Sequence, residues 1–591
     1  MFSDTRLQLQ NLTKESLKIF DGYIPYPLIV GDVNSDRQHP QVVIDVPADK
    51  QHGEFSCNVA LQLSRLLKKS PLIIARQILA SLQELLNASS LHQQIAKIEI
   101  KAPGFINFYL SAGGFYNVLY DVFRQKENYG RSDFGADQKL CLEFVSANPT
   151  GPLTVAHGRQ AAVGDTLANI FQAVGFDAKR EYYVNDEGNQ INILGCSIKR
   201  RAQQIFDPNM PFLGESTGIM EGTFDDGETS MFIEDGYRGE YISEIAQKFL
   251  DQHHIKNLAG LGKQQEDEFR KFGVGYLMDI IKKDLEDFGV HFDIWSYQSK
   301  IANNAAIESV LAQLKARDFI KEDEGALWFK STLWKEDDKD RVVRKSNGDY
   351  TYLMPDIVYH KDKFDRGFTR IVDILGPDHH GYISRLKAAA AALGHSKDDL
   401  DVLIVQLATI YRDGKKVSMS TRRGEFISLR EVMNEVGRDA ARFFFLMRRA
   451  SAHLEFDLEL AKKQSMDNPV YYIQYAHARI HSIIRKADDE LHWSPKTQDL
   501  KYLKQPEEID LMRKIGFYPD ILIGAARTLE PFSLVRYLQE VAAAFHKFYD
   551  TCRVLDENKE LSVERLGLIE AARVVLGNGL RLLGVSAPQK M

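Results

Sequence analysis

Cysteine is scarce in this 591-residue chain: the four present, Cys57, Cys141, Cys196 and Cys552, are scattered and form no CxxC pair. That spacing excludes a disulfide framework and a zinc site of usual form, and it fits a reducing compartment. Long apolar runs are missing too, since no window approaches the roughly 18 apolar residues of a membrane span. The first thirty residues carry both charge signs before any apolar stretch, unlike a secretory signal or an acid-poor transit peptide. A cytoplasmic protein with no membrane partner is the expectation. Neither a GxxxxGK[ST] loop nor a GxGxxG loop occurs, which removes the two commonest phosphate cradles. Fixed-period repeats and low-complexity tracts are absent as well.

What is present is an ordinary globular composition, 44% hydrophobic and 27% charged. At roughly 150 residues per domain the length allows about four units. Lys plus Arg number 75 against 82 Asp plus Glu, for a net charge of −7. Taken as an average, mild acidity argues against a nucleic-acid partner. The average hides unlike parts. Residues 206–240 hold nine acidic residues, six glycines and one basic residue, Arg238, and read as an exposed acidic insertion. Residues 410–450 hold ten basic residues against five acidic.

Periodicity divides the chain at 1–112, 113–400, 401–466 and 467–591. The first unit is α/β, with helices at 58–69 and 74–86, the first stopped by Ser70-Pro71, and two β runs about the Pro103-Gly104 turn. The second opens with KLCLEFVS at 139–146, a buried-strand pattern, followed by a Pro/Gly loop. A helix then carries Val163, Leu167, Ile170, Phe171 and Val174 on one face and stops at Gly175; a strand follows at 178–184. Strand, loop, helix, strand is the signature of a doubly wound parallel sheet, an α/β fold. Further strands are expected at 326–330, 369–376 and 401–411, the last turned by Asp413-Gly414, and the pattern is helical from Asn468 almost to the end.

The loop after the first strand of such a sheet lies where ligands bind, and the next helix points its positive end at them. Here it reads NPTGPLTVAHGR, residues 148–159. Gly151 and Gly158 permit close backbone approach, and His157 with Arg159 puts nitrogen donors at the helix start, a combination that suits a polyphosphate. A second segment, YRDGKKVSMSTRRGEF at 411–426, offers Lys415, Lys416, Arg422 and Arg423 on a loop able to close over a polyphosphate and stabilise charge on a leaving pyrophosphate.

In order and wording these segments resemble the class I aminoacyl-tRNA synthetases, and within them the arginyl-tRNA synthetases. The resemblance rests on LEFVSANPTGPLTVAHGRQAAVGD, YYVNDEGNQI, GYRGEYI, YTYLMPDIVYH, DILGPDHHGYISRL, SMSTRRGEF, EVGRDAARFFFLMR, DNPVYYIQYAHARI and LRLLGVSAPQKM. It implies a Rossmann-like catalytic domain, an N-terminal domain meeting the tRNA elbow, and an all-α anticodon-binding domain at 467–591. The family's HIGH element falls on Thr154-Val155-Ala156-His157 and its KMSKS element on Ser418-Met419-Ser420-Thr421-Arg422. Both depart from the pattern: Thr154 replaces the first histidine, Ala156 narrows the adenine side, and Thr421 replaces the second lysine, leaving Arg422 with Lys416 as the cations.

By the same resemblance Pro149, Gly151, Thr154, Ala156, His157, Gly158, Met419 and Ser420 surround ATP, and His157, Thr154, Lys416, Ser420 and Arg422 act in catalysis. A planar guanidinium is best held by carboxylates in bidentate geometry. The resemblance implies an arginine site drawn from Glu143, Ser146, Asn148, Tyr352, Asp356 and His379, with Asp356 the expected main guanidinium partner. Glu143 is left between the guanidinium and the α-amino group. Asn185, Asp186 and Gln190 shape the site or form a structural loop. Substrates are L-arginine, ATP with Mg²⁺ and tRNA(Arg); no resident metal is expected, because adjacent His379 and His380 diverge on either a helix or a strand. The implied reaction passes through arginyl-adenylate, with bound tRNA needed for the first step. Residues 467–591 balance 17 basic against 17 acidic residues, so anticodon bases are expected to stack on aromatics, with Tyr471, Tyr475, His477 and Tyr549 the candidates. A monomer is expected. A class I synthetase for another amino acid and a catalytically silent tRNA-binding paralogue stay open as alternatives.

Overall fold

The computed structural model describes residues 2–20, 41–47, 49–209, 221–223, 229–231, 236–262, 264–335, 337–417, 427–491, 493–496 and 498–591. Expectations for Met419, Ser420, Thr421, Arg422 and Arg423, and for most of the acidic insertion, lie outside these residues. Of that insertion, a two-stranded antiparallel pair is described, Glu221–Thr223 with Thr229–Met231.

In the N-terminal unit, helices Val59–Leu67 and Pro71–Asn87 pack on a four-stranded antiparallel sheet whose last two strands are Ile95–Lys101 and Phe105–Leu110. Pro71 does not stop the first helix, which ends earlier at Lys68 in the left-handed region; Pro71 starts the second, where its missing N–H costs nothing. This unit is anchored on the C-terminal helices. Arg513 forks onto Glu54 (2.9 and 3.0 Å), and Phe2 packs edge-on against Phe517 with ring centroids 5.0 Å apart.

The site is positioned by one parallel sheet. Its strands are β1 (Lys139–Glu143), β2 (Asp177–Val184), β3 (Ile294–Tyr297), β4 (Arg370–Leu375) and β5 (Leu400–Ile404), in the order β5-β4-β1-β2-β3, every pair parallel. Leu140, Cys141 and Leu142 of β1 are fully buried, as a central strand covered on both faces requires. Helix α1 (Val155–Ala173) crosses from β1 to β2, with Val163, Leu167, Ile170 and Phe171 in the core. It ends where Gly175 takes φ +100°, a value that favours glycine. Helix α2 (Leu353–Asp365) packs beside β4.

The expected strand at 401–411 is two strands of two sheets. β5 stops at Ile404, and a second strand, Ala408–Arg412, pairs with Leu454–Asp457 in parallel and with Lys415–Lys416 across the Asp413-Gly414 turn. Both turn residues have positive φ, +49° and +71°, as a two-residue hairpin of this kind demands. The C-terminal unit is helical, with α3 (Pro469–Leu491), α4 (Phe532–Thr551) and α5 (Lys559–Leu582) its longest pieces. Among the described residues no helix is long and apolar enough to cross a membrane.

Candidate active site

A cavity of about 660 Å³ opens at the carboxyl edge of the sheet. Glu143, Ser146, Asn148, His157, Tyr352, Asp356 and His379 all line it, although they come from four separate stretches of sequence. The strand-to-helix connection is under strain there: Val145 and Ser146 have φ of +68° and +37°, and a β-branched residue in the left-handed region is rare away from functional sites. The twist turns Ser146 Oγ back to donate to Glu143 Oε1 (2.9 Å) and to accept from the Tyr183 N–H (3.1 Å). Asn148 Nδ2 donates to Gln190 Oε1 at 2.6 Å.

His157 sits in the first turn of α1. Its Nδ1 accepts the Thr154 backbone N–H (3.1 Å), which fixes the tautomer and leaves the ring proton on Nε2. Burial pushes its pKa down to about 4, so the imidazole is a neutral donor over the physiological range. Thr154 also bridges to Ser428, and Leu429 N–H donates to Leu153 O (2.8 Å), which holds the far flank of the 418–426 segment against the start of α1. Lys416 is exposed two residues before that segment.

Arg159 departs from the sequence expectation. Two residues beyond His157, it lies about 200° around the helix and points away from the cavity. Its guanidinium, fully buried, donates to the carbonyls of Gln406 (2.6 Å), Ala452 (2.9 Å) and Arg449 (2.9 Å), and so ties α1 to the next sheet instead of meeting a phosphate. Gly158 also serves packing: a Cβ there would lie 2.7 Å from Leu429 Cδ1 and 3.1 Å from the Phe445 ring. Pro149, Gly151, Thr154 and Ala156 flank the cavity without lining it; Gly151 lies under the Tyr241 hydroxyl, which donates to Thr150 O (2.8 Å).

Asp356 in the first turn of α2 is pushed up to about 6, chiefly by desolvation, and the Tyr382 hydroxyl faces it. The Tyr382 hydroxyl and Asn185 Oδ1, both on cavity-lining residues, are buried without hydrogen-bond partners. Buried orphan groups of this kind cost stability unless a ligand completes them. Tyr352, at 70% exposure, stands at the mouth, and His379 is exposed there with Nε2 3.4 Å from Asp378 Oδ2. Asp186 has a structural job, accepting from Ser299 N (3.0 Å) and Oγ (2.6 Å).

Beneath the cavity lies a feature the sequence reading missed. Parallel register sets Asp373 of β4 beside Glu143 of β1, and Glu143 beside Glu181 of β2, a row of three carboxylates. Helix α2 answers with cations one turn apart, His360 and Lys363, followed by Arg366 at its end. His360 Nε2 meets Asp373 Oδ2 (2.8 Å), Lys363 Nζ donates to Asp373 Oδ1 (2.8 Å) and Glu143 Oε2 (2.6 Å), and Arg366 Nη2 donates to Glu181 Oε1 (2.8 Å). His360 Nδ1 also donates to the Asp356 carbonyl (2.7 Å), so both ring nitrogens face acceptors. Burial disfavours every one of these charges, but the partners prevail: Lys363 and His360 are raised, Asp373 and Glu181 lowered. The signal in the sequence was the helical spacing Asp356, Tyr359-His360, Lys363. Tyr183 and Gln298, hydrogen-bonded at 2.9 Å, complete the lining and were also missed.

On the helical unit Tyr471 and Tyr475 stack (centroids 6.1 Å, planes 13° apart), and the Arg479 guanidinium lies 5.6 Å from Tyr475 and 4.2 Å from Tyr549. His477 does not join this face. It is 3% exposed and its Nδ1 donates to Pro588 O (2.8 Å), because two helical residues turn it to the opposite side from Tyr475.

Family models match three consecutive stretches of the chain: "Arginyl tRNA synthetase N terminal domain" over 9–110, "tRNA synthetases class I (R), catalytic domain" over 119–454, and "DALR anticodon binding domain" over 473–591. The arginine-tRNA ligase of Geobacter sp. (strain M21) is 44% identical over 542 residues, 91% of this chain and 93% of its own length. That of Bacillus subtilis (strain 168) is 40% identical over 585 residues, 99% of each chain. The Thermus thermophilus arginyl-tRNA synthetase structure shares the fold, with a TM-score of 0.73 at 19% identity, over 99% of this chain and 100% of that one. A parallel-sheet cavity headed by a HIGH-like turn, matched along its length by these relatives, places the chain in the arginyl-tRNA synthetase family of class I.

Proposed function

We propose that the protein joins L-arginine to tRNA(Arg) in two steps at the cavity above the sheet. An oxygen of the arginine carboxylate attacks the α-phosphorus of Mg-bound ATP, the bond to pyrophosphate breaks, and arginyl-adenylate forms. A terminal ribose hydroxyl of the tRNA then attacks the arginyl carbonyl and AMP leaves. The observation that carries the reading is Asp356: a desolvated carboxylate on the cavity wall that faces the Tyr382 hydroxyl and has no ion-pair partner among the described residues. A guanidinium supplies what is missing there, a delocalised cation with several donors.

The other assignments follow from placement. Ser146, Asn148 and Glu143 lie at the end of β1, near the arginine backbone, and the charge of Glu143 is already met by Lys363 at 2.6 Å. His157 Nε2–H donates to a phosphate oxygen. Thr154, Pro149, Gly151, Ala156 and Gly158 shape the nucleotide side, and Lys416, Met419, Ser420 and Arg422 close over it to stabilise the leaving pyrophosphate. No side chain is needed as a nucleophile, so catalysis is positioning and charge stabilisation. Tyr471, Tyr475 and Tyr549 form a stacking surface for anticodon bases.

The test is ATP-pyrophosphate exchange with arginine, lysine, ornithine and citrulline, with and without tRNA. Exchange confined to arginine supports the reading. Exchange with any other amino acid in place of arginine overturns it, and tRNA binding without charging favours a silent paralogue.

A further inference from the structure

The carboxylate row is met by cations from one helix. Asp373, Glu143 and Glu181 contribute three negative charges from adjacent strands; His360 and Lys363 of α2 neutralise the Asp373–Glu143 part, and Arg366 stands at the helix end. Lys363 bridges the two row carboxylates nearest the cavity, Glu143 and Asp373, and has no exposed surface, whereas Arg366 divides itself between Glu181 and Asp362 of its own helix (2.8 Å). Asp356 continues the same stripe toward the cavity but has no cation of its own among the described residues.

We propose that Lys363, assisted by His360, is the positioning residue of the arginine pocket: it cancels the charge of Glu143 and Asp373, so that Asp356 alone on the inner wall offers a charge to the substrate. A buried ammonium with two carboxylates does this better than water, because it cannot exchange and holds Glu143 in register with Ser146. The pocket is thereby matched to one cation. Without Lys363 the row would carry surplus negative charge that repels ionisation of Asp356. The groups facing Asp356 are Glu143 on β1, Tyr183 on β2, Asp373 on β4, His360 on its own helix and Tyr382 beyond β4.

This rests on the reading of Asp356 as guanidinium partner, and the experiment separates the two. Arginine kcat/KM is measured by ATP-pyrophosphate exchange with tRNA present across pH 5.5–8.5, a range of about three units around the group concerned. Asp356 must be ionised to bind, so in the unaltered protein kcat/KM falls as pH drops through about 6. In Lys363→Met the break moves up by about one pH unit, a roughly threefold loss near pH 6.5 that grows to about eightfold at pH 5.5 and vanishes toward pH 8.5. Lys363→Met with Asp373→Asn restores the charge balance and returns the break to its original place. If Lys363→Met does not fold, His360→Gln, which keeps a donor toward Asp373 while removing the charge, carries the same test with an upward shift. A uniform loss at every pH, with the break unmoved, overturns the proposal and leaves Lys363 a fold residue. An Asp356→Asn protein that keeps a break near pH 6 instead defeats the reading of Asp356 itself.

Discussion

Replacing Arg159 by methionine separates a phosphate ligand from a structural tie. The substitution keeps the aliphatic volume and removes the guanidinium, which stays charged at neutral pH even though burial pushes its pKa down to about 10. Two carbonyls, of Gln406 and Ala452, lose their donor, whereas Arg449 O keeps the Ala452 N–H (3.0 Å). Each acceptor left unpaired costs roughly 1–3 kcal/mol, and relief from desolvating the guanidinium returns part of that, so the net loss is about 2–4 kcal/mol. For a unit of 150–250 residues each kcal/mol lowers the midpoint by about 2–4 °C. Calorimetry should therefore show the catalytic unit melting roughly 4–16 °C lower, while pyrophosphate exchange at 20 °C retains its ATP KM within about twofold. An unchanged melt with an ATP KM raised tenfold would refute the placement of Arg159 and return it to the polyphosphate.

Asp356→Ala should lower arginine kcat/KM by about 10²–10³-fold, the cost of losing a desolvated charge pair, with ATP binding by equilibrium dialysis preserved; near-normal arginine kinetics removes Asp356 from the site. Gly158→Ala forces Leu429 or the Phe445 ring to move, and overpacking of this kind costs about 1–3 kcal/mol, visible as a lower denaturant midpoint; an unchanged midpoint would refute the close packing of α1 at Gly158. Tyr475→Ala should raise the tRNA KM in aminoacylation by roughly five- to a hundredfold, one base-stacking interaction, and His477→Ala should leave it alone; equal effects would mean that the face opposite Tyr475 also touches RNA.

Much of the architecture was legible because it depends on patterns short enough to read. β1 is an apolar run because both its faces are covered, the buried stripe of α1 repeats at helical spacing, and Asp-Gly at 413–414 needs the positive φ that its hairpin uses. Where the reading failed, sequence continuity concealed a change of partner. The run at 401–411 is β-prone throughout, yet Val405–Leu407 carries the chain from one sheet to another, and only tertiary pairing decides that break. Pro71 reads as a stop and as a start with equal right, since both roles exploit its missing N–H.

The site divides along the same line. Residues whose type alone announces a ligand, such as Asp356 and His157, could be found by motif, and the structure brings them to one cavity. Direction could not be read: Arg159 stands within two residues of His157 and faces the other way. Part of the positive charge at 410–450 serves the fold rather than a ligand: Arg442 is fully buried on Asp165, Arg430 bridges Asp284 and Asp287, and Arg412 pairs with Glu435, while Lys415 and Lys416 are exposed. The carboxylate row was invisible for a further reason. Asp373, Glu143 and Glu181 are 38 to 230 residues apart in the chain, and their adjacency is a product of parallel register alone. Charge composition therefore locates a working surface only after each ion's partner is known: here Arg412, Arg430 and Arg442 bind the fold, whereas Asp356, without an ion-pair partner among the described residues, is the group proposed to meet the substrate.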